Sequence, residues 1–280
     1  MVFALLIPIA SRSFAQSSVS FPPLEQWENS IKSGSTSSLL ALYSTSPAAR
    51  ISIPSGKTTT TVSVDADAAF WRGLKIKSVK LELEKSDSPQ SGVEQVLFHL
   101  ELSSAASAGN PRTLYITAAQ VWQEQSGQWR IVASQRTDPV RLAPPKDTAK
   151  DIYPAGIDAH VEIKEALAKA AKQHKRVLVV FGANWCYDCH VLDQAFERPD
   201  LAPVLTRNFE VVHVDVGEGD KNQDLMNEYQ VPMQKGIPAL AVLESDGKLL
   251  FSQKGGEFER ARALTPEDLL AFLNKWKPRT

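Results

Sequence analysis

The stretch Arg176-Val177-Leu178-Val179-Val180-Phe181-Gly182-Ala183-Asn184-Trp185-Cys186-Tyr187-Asp188-Cys189-His190 decides the reading of this chain. Its first six residues are a mostly apolar, β-branched run, the pattern of a strand buried on both faces. Gly182-Ala183-Asn184 reads as a turn. From Cys186 the pattern becomes helical and continues through residues 191–196. A strand-to-helix turn places the Cys186 sulfur against the unpaired N–H groups of the first helical turn, where the helix dipole favours negative charge. That lowers a thiol pKa and supplies thiolate, the attacking species. Cys189 is three residues on, on the same helix face. It can close a small disulfide with Cys186 or resolve a mixed one. Cys186, at the outer end, is assigned as nucleophile and Cys189 as resolver. The chain has 2 cysteines in all. A chain stapled by structural disulfides would carry more, at wider spacing. The sulfur here serves chemistry or a cofactor.

Around this stretch the pattern alternates. Residues 157–172 are helical, with Ile163, Leu167 and Ala170 on one face. Residues 210–216 form a strand and 221–229 a helix. Two strands, 239–243 and 249–253, flank the hairpin turn Ser245-Asp246-Gly247. Thr265-Pro266-Glu267-Asp268 opens a final helix, with an N-cap Thr, Pro at the first position and acids in the first turn. The order is β-α-β-α-β-β-α with a helix in front.

That order, with Trp185-Cys186-x-x-Cys189 after a buried strand and Gly236-Ile237-Pro238 before the next central one, resembles the thioredoxin family. It is similar above all to exported thioredoxin-like proteins and to the C-terminal domain of transmembrane disulfide reductases. The resemblance implies an α/β thioredoxin-like domain over residues 157–280 that exchanges thiols and disulfides with other proteins. It implies that Pro238 is cis and lies against the sulfurs, and that the Ile237 backbone pairs with an incoming substrate strand. It also implies that Trp185 shields the disulfide. The family often has a buried Asp six residues before the first cysteine, and Val180 stands there instead. Proton transfer at Cys189 then falls to water, Asp188 or His190. Extra residues around Pro232-Met233-Gln234 lengthen the nearby loop. The supporting set is thus Trp185, Tyr187, Asp188, His190, Ile237 and Pro238. A charged Asp188 opposes a thiolate and a protonated His190 favours it. Asp is charged near neutral pH and His only partly, so the balance leans to a reductant. The plain alternative for both is a solvated helix face.

The N-terminal half follows a different grammar. Residues 25–31 and 36–43 read as short helices separated by Ser33-Gly34-Ser35. Residues 58–64 are β-branched. Leu74 and Ile76 alternate in one phase, and Val79, Leu81 and Leu83 in the other, which predicts a bulge and a bend. Val96, Phe98, Leu100 and Leu102 keep a period of two, as do Leu114, Ile116 and Ala118, then Trp129, Ile131 and Ala133. This α+β pattern over 21–138, ending in Val121-Trp122-Gln123-Glu124-Gln125-Ser126-Gly127-Gln128-Trp129, resembles the nuclear-transport-factor-2-like (SnoaL-like) cone fold. The resemblance implies a curved sheet around helices and, with it, a possible small-ligand pocket. Trp27, Phe70, Trp71, Trp122 and Trp129 read first as core and second as pocket lining. His99 reads as solvated or hydrogen-bonded. Residues 139–156, with Pro139, Pro144, Pro145 and Pro154, read as a semi-rigid linker.

Residues 1–20 read as a leader. The apolar run ends at Ala10, too short to span a bilayer, and Ser13-Phe14-Ala15 resembles a cleavage site. No Lys or Arg precedes the run. The expectation is a periplasmic or secreted protein with no transmembrane segment. The chain's 31 basic and 32 acidic residues give no argument for nucleic acid. Its partners are then thiol or disulfide proteins and an upstream electron donor, with no cofactor. Three alternatives stand beside this. Cys186-x-x-Cys189-His190 fits c-type haem attachment with His190 as axial ligand, although the flanking strand and Ile237-Pro238 argue against it. Zinc would need two more ligands, and nothing in the sequence brings His190 and His213 together. A binding or scaffold protein would use the N-terminal domain alone.

Overall fold

The computed structural model describes residues 21–55, 58–105, 112–154 and 156–279. The expected leader lies outside the described residues. No helix among them is long and apolar enough to cross a membrane.

The first helix, α1 (Pro22–Ser33), starts on two prolines and stops at Gly34, whose φ of 69° is left-handed and suits glycine. Ser35 caps α2 (Thr36–Leu40). Strands β1 (Arg50–Ser55) and β2 (Thr58–Val62) follow, then α3 (Val64–Gly73). Four long strands complete the domain: β3 (Ile76–Gln90), β4 (Val93–Ser104), β5 (Arg112–Gln125) and β6 (Gln128–Arg136). They form one sheet in the order β2-β1-β6-β5-β4-β3. β1 runs parallel to β6, and the other pairs are antiparallel. The register between β3 and β4 shifts between Ile76 and Ser78, at the expected change of phase, and twice more further along. Each bulge adds twist and bends the sheet. The helices pack on its apolar face in a core of Trp27, Trp71, Phe98 and Trp122. This is the α+β cone the sequence implied.

One detail corrects the sequence reading. Residue 64 does not continue the β-branched strand: Ser63 Oγ accepts the Ala66 N–H and starts α3. Trp27, Trp71 and Trp122 are core, as the sequence reads them first. Trp27 packs edge-on against Trp71 and Phe98 at 5.1 and 5.3 Å, the arrangement aromatic rings prefer in a filled interior. Beneath them Asp67, 1% exposed, accepts from Tyr43 Oη at 2.9 Å, Trp71 Nε1 at 3.0 Å and Arg136 Nε at 2.8 Å. His99 is hydrogen-bonded, between Thr117 and Glu84.

The second domain runs α4 (Ala159–Gln173), β7 (Arg176–Gly182), α5 (Tyr187–Phe196), α6 (Ala202–Asn208), β8 (Phe209–Asp215), α7 (Gln223–Glu228), β9 (Ala239–Leu243), β10 (Leu249–Ser252) and α8 (Pro266–Trp276). The sheet order is β10-β9-β7-β8, with β7 parallel to β8 and antiparallel to β9. Alternate residues of β7 face opposite cores. Val177, Val179 and Phe181 meet α4 and α7, while Leu178 and Val180 meet α5 and α8. That is why this strand is apolar at every position. Thr265 and Asp268 form the capping box that starts α8. Helix α6 is an addition to the expected order.

Residues 139–156 contain no helix or long strand, but they are not a free tether. Val140 pairs with Tyr115 of β5 through hydrogen bonds of 2.9 and 3.0 Å. Leu142, 1% exposed, joins the second domain's core. Lys150 bonds Asp193 on α5 and Glu197 at its C-cap. A proline-rich composition sets stiffness, but it does not forbid docking where apolar side chains find a core.

Candidate active site

The strand β7 delivers the chain to Cys186, which takes the N-cap position of α5 with extended backbone (φ −81°, ψ 107°). Its Sγ accepts the Cys189 N–H at 3.1 Å. The expected geometry is present: a sulfur satisfying one of the orphan donors at a helix start. Cys186 and Cys189 are joined as a disulfide. Cys186 is 5% exposed and Cys189 1%, so Cys186 is the outer sulfur. The Ile237–Pro238 peptide bond is cis, and the Ile237 carbonyl oxygen lies 3.7 Å from Cys186 Sγ. Ile152, Tyr153 and Ile237 pack around the two cysteines.

The flanking residues divide. Trp185 is 60% exposed and is fixed by its Nε1–H, which donates to the Gly217 carbonyl at 3.0 Å. Tyr187 is also exposed, with the Arg262 guanidinium 4.7 Å from its ring centroid. Burial raises the Tyr187 phenol pKa, and the nearby Arg262 opposes the shift. Asp188 and His190 are not a solvated helix face. They are 7% and 3% exposed. Asp188 Oδ1 accepts the Arg262 backbone N–H at 2.9 Å and its Nε–H at 3.0 Å, and Oδ2 completes the fork. These bonds hold the Arg262 pKa above its usual value. This pairing compensates the Asp188 charge, so Asp188 does not tilt the couple towards a reductant as a free carboxylate would. His190 Nε2–H donates to the Asn184 carbonyl at 2.7 Å, so it braces the turn before Cys186.

Asn184, expected as a turn residue, does more. Its Oδ1 accepts the N–H groups of Ile152 at 3.0 Å and Tyr153 at 2.9 Å. Its Nδ2 donates to Asp151 Oδ1 at 2.7 Å and to the Tyr153 carbonyl at 2.9 Å. One side chain thus clamps the interdomain segment against the site. Arg262 and Tyr153 escaped the sequence reading. Both reach the site from distant segments, and no local pattern marks such a partner. Val180, where the family has an acid, is buried on β7.

The alternatives fare poorly on this geometry. His190 faces a carbonyl of its own turn rather than an axial position, and the domain is a mixed sheet between helices. His213 sits edge-on to Tyr153 at 5.3 Å and 3.7 Å from Asp193. No group of three or more potential metal ligands gathers among the described residues.

Comparison with known proteins agrees. Residues 158–245 match the family model described as thioredoxin-like. Over 44% of its length the chain is 41% identical to a solved disulphide isomerase from Xylella fastidiosa Temecula1, covering 95% of that chain with a TM-score of 0.42. The C-terminal domain belongs to the thioredoxin-like family. The thioredoxin-like chain is also 29% identical over 140 residues to the thiol:disulfide interchange protein DsbD 2 of Pseudomonas aeruginosa. It is 27% identical over 151 residues to DsbD of Pseudomonas fluorescens. These matches take up 49% and 53% of the chain, but they span only 22% and 23% of those relatives' lengths. The N-terminal half is similar to an NTF2-like protein from Shewanella baltica, at 11% identity and a TM-score of 0.34 over 42% of this chain and 87% of that one.

Proposed function

We propose that this protein is a thiol–disulfide oxidoreductase that exchanges disulfides with other proteins through Cys186 and Cys189. The observation that carries the reading is the Cys186 sulfur at the start of α5, accepting a first-turn N–H at 3.1 Å. A helix N-terminus stabilises the thiolate over the thiol. The outer sulfur therefore attacks, or is attacked, and the inner Cys189 resolves. Trp185, Tyr187 and the Ile237–Pro238 turn surround the place where a substrate strand would lie, and the Ile237 backbone is positioned to pair with it. The names of the relatives, which speak of thiol:disulfide interchange and disulphide isomerase, support the same chemistry.

The partners are cysteine-bearing proteins and an upstream dithiol or disulfide that resets the pair. We place the exchange outside the cytosol, on the apolar run and small-residue site within residues 1–15. N-terminal sequencing of exported protein should begin near Gln16, and an intact Met1 on cytosolic protein would end that placement. Insulin reduction tests the chemistry itself. Wild-type protein should be active, Cys186→Ser inactive, and Cys189→Ser should trap a mixed disulfide. Wild-type protein as inactive as Cys186→Ser would leave a scaffold as the better reading. The direction follows from the potential. A value near about −270 mV means a reductant and one near about −120 mV an oxidant.

A further inference from the structure

The inner sulfur poses a problem that the outer one does not. When the disulfide opens, Cys189 becomes an anion in a site 1% exposed, where an unpaired charge is costly. Val180 supplies nothing to hold it.

Behind the disulfide stands Tyr153, also 1% exposed. Its hydroxyl is buried and has no hydrogen-bond partner among the described residues. A buried phenol of this kind ordinarily finds a partner. Gly182 shows where this one points. A Cβ built on Gly182 would fall 2.2 Å from Tyr153 Oη and 2.9 Å from Cys189 Sγ. The hydroxyl and the inner sulfur therefore crowd the same spot over β7, and only glycine leaves room for both. The backbone of Tyr153 is held there by Asn184, and its ring rests edge-on against His213.

We propose that the Tyr153 hydroxyl is the hydrogen-bond donor that receives the Cys189 thiolate, a catalytic role filled from the interdomain segment. This rests on the exchange reading above. A substrate thiolate attacks Cys186 Sγ, and a new S–S bond joins substrate to Cys186. The Cys186–Cys189 bond breaks, and its electron pair leaves on Cys189 Sγ. The substrate sulfur is oxidised and the Cys189 sulfur reduced. Tyr153 donates its O–H to the new anion and keeps its proton. In the reverse direction the same bond holds Cys189 as thiolate for its attack on Cys186 Sγ. Burial, reinforced by the Asp193 and Asp215 charges, pushes the phenol pKa far up, so Tyr153 acts as a donor and not as a base. The charged or titratable groups around it are those two carboxylates, His213 and Lys150, which sits on Asp193.

The test is Tyr153→Phe in the full chain. Phenylalanine keeps the ring against His213 and removes a hydroxyl that is unpaired in the disulfide form. The oxidised protein should keep its Tm or gain, whereas the reduced protein should lose stability. The equilibrium constant for reduction by glutathione should fall about tenfold, which is about 30 mV for two electrons. Resolution of a Cys186 mixed disulfide should slow, with its pH profile moved to higher pH. An unchanged potential and pH profile in Tyr153→Phe, beside an active wild type, would overturn this role and leave the exchange reading standing. A wild type inactive towards insulin would overturn both.

Discussion

Arg262→Gln should turn the active site towards a reductant, and its size can be worked from the ion pair. In the native protein Asp188 sits in the first turn of α5, and both of its oxygens face Arg262. Without the guanidinium, its negative charge stands uncompensated two residues along the first turn from Cys186. For a separation on the order of one helical pitch, about 5.4 Å, and an effective dielectric near 20, a unit charge contributes roughly 3 kcal/mol. Water at the outer lip of the site screens about half of that, leaving roughly 1.5 kcal/mol, or about one pKa unit. The sign is fixed: a like charge raises the Cys186 pKa, reduces the thiolate fraction at neutral pH and makes the couple more reducing. Asp188→Asn has the opposite sign, because the Arg262 guanidinium then stands without its carboxylate at the first turn of α5. Its effect is smaller, roughly half a unit, since the Arg262 side chain is 50% exposed and screened. The double variant should return close to wild type.

The assay is a pH titration of thiolate absorbance in reduced protein, paired with equilibration against glutathione. Arg262→Gln with an unchanged or lowered Cys186 pKa would refute the charge argument. So would Asp188→Asn with a raised one.

Other consequences follow from buried partners. Asp67→Asn leaves Arg136, whose side chain is 4% exposed, as an uncompensated charge in the cone, and should cost about 3–5 kcal/mol in chemical denaturation of the N-terminal domain. Replacing both residues by apolar ones should recover most of that loss. Asn184→Ala removes the clamp on Ile152 and Tyr153, should cost about 1–3 kcal/mol, and should expose residues 139–156 to limited proteolysis. His213 has its pKa lowered from 6.5, by burial first, with Asp193 opposing. The unfolded chain therefore binds more protons in acid, so its contribution is present above about pH 6.5 and lost as pH falls below it. His213→Phe should flatten that part of the stability profile.

The site was legible where its cause is local. A double-faced apolar strand followed by a cysteine at a helix start can be read from consecutive residues, and so can the Thr265–Asp268 capping box. The change of phase between Ile76 and Val79 marked a real register shift. Helix α3 was missed because Val64 extended a β-branched run, although Ser63 and the first-turn acids Asp65 and Asp67 carried a start signal. The burial of Asp188 and His190 was not legible. Each is buried because of a partner, Arg262 or the Asn184 carbonyl, and the Arg262 pairing joins segments 74 residues apart. Charged residues on a helix beside a turn look solvated until such a partner is known.

The interdomain segment ties the N-terminal cone to the disulfide site. A passive tether would need no buried residue, and ordering a chain costs about 1–2 kcal/mol per residue in lost conformational freedom. Yet this stretch is held at several of its described residues. Val140 adds to the edge of Tyr115 in the cone. Arg141 reaches Glu267 at the start of α8, Leu142 enters the second core, and Gln194 of α5 bonds the Pro144 carbonyl and the Lys146 N–H at 2.8 Å each. Asn184 then holds Ile152 and Tyr153 beside the disulfide. At the cysteine end of the segment Tyr153 is 1% exposed and its buried hydroxyl has no partner among the described residues. These buried contacts themselves offset the ordering, and they bring a polar side chain to a site where β7 carries Val180.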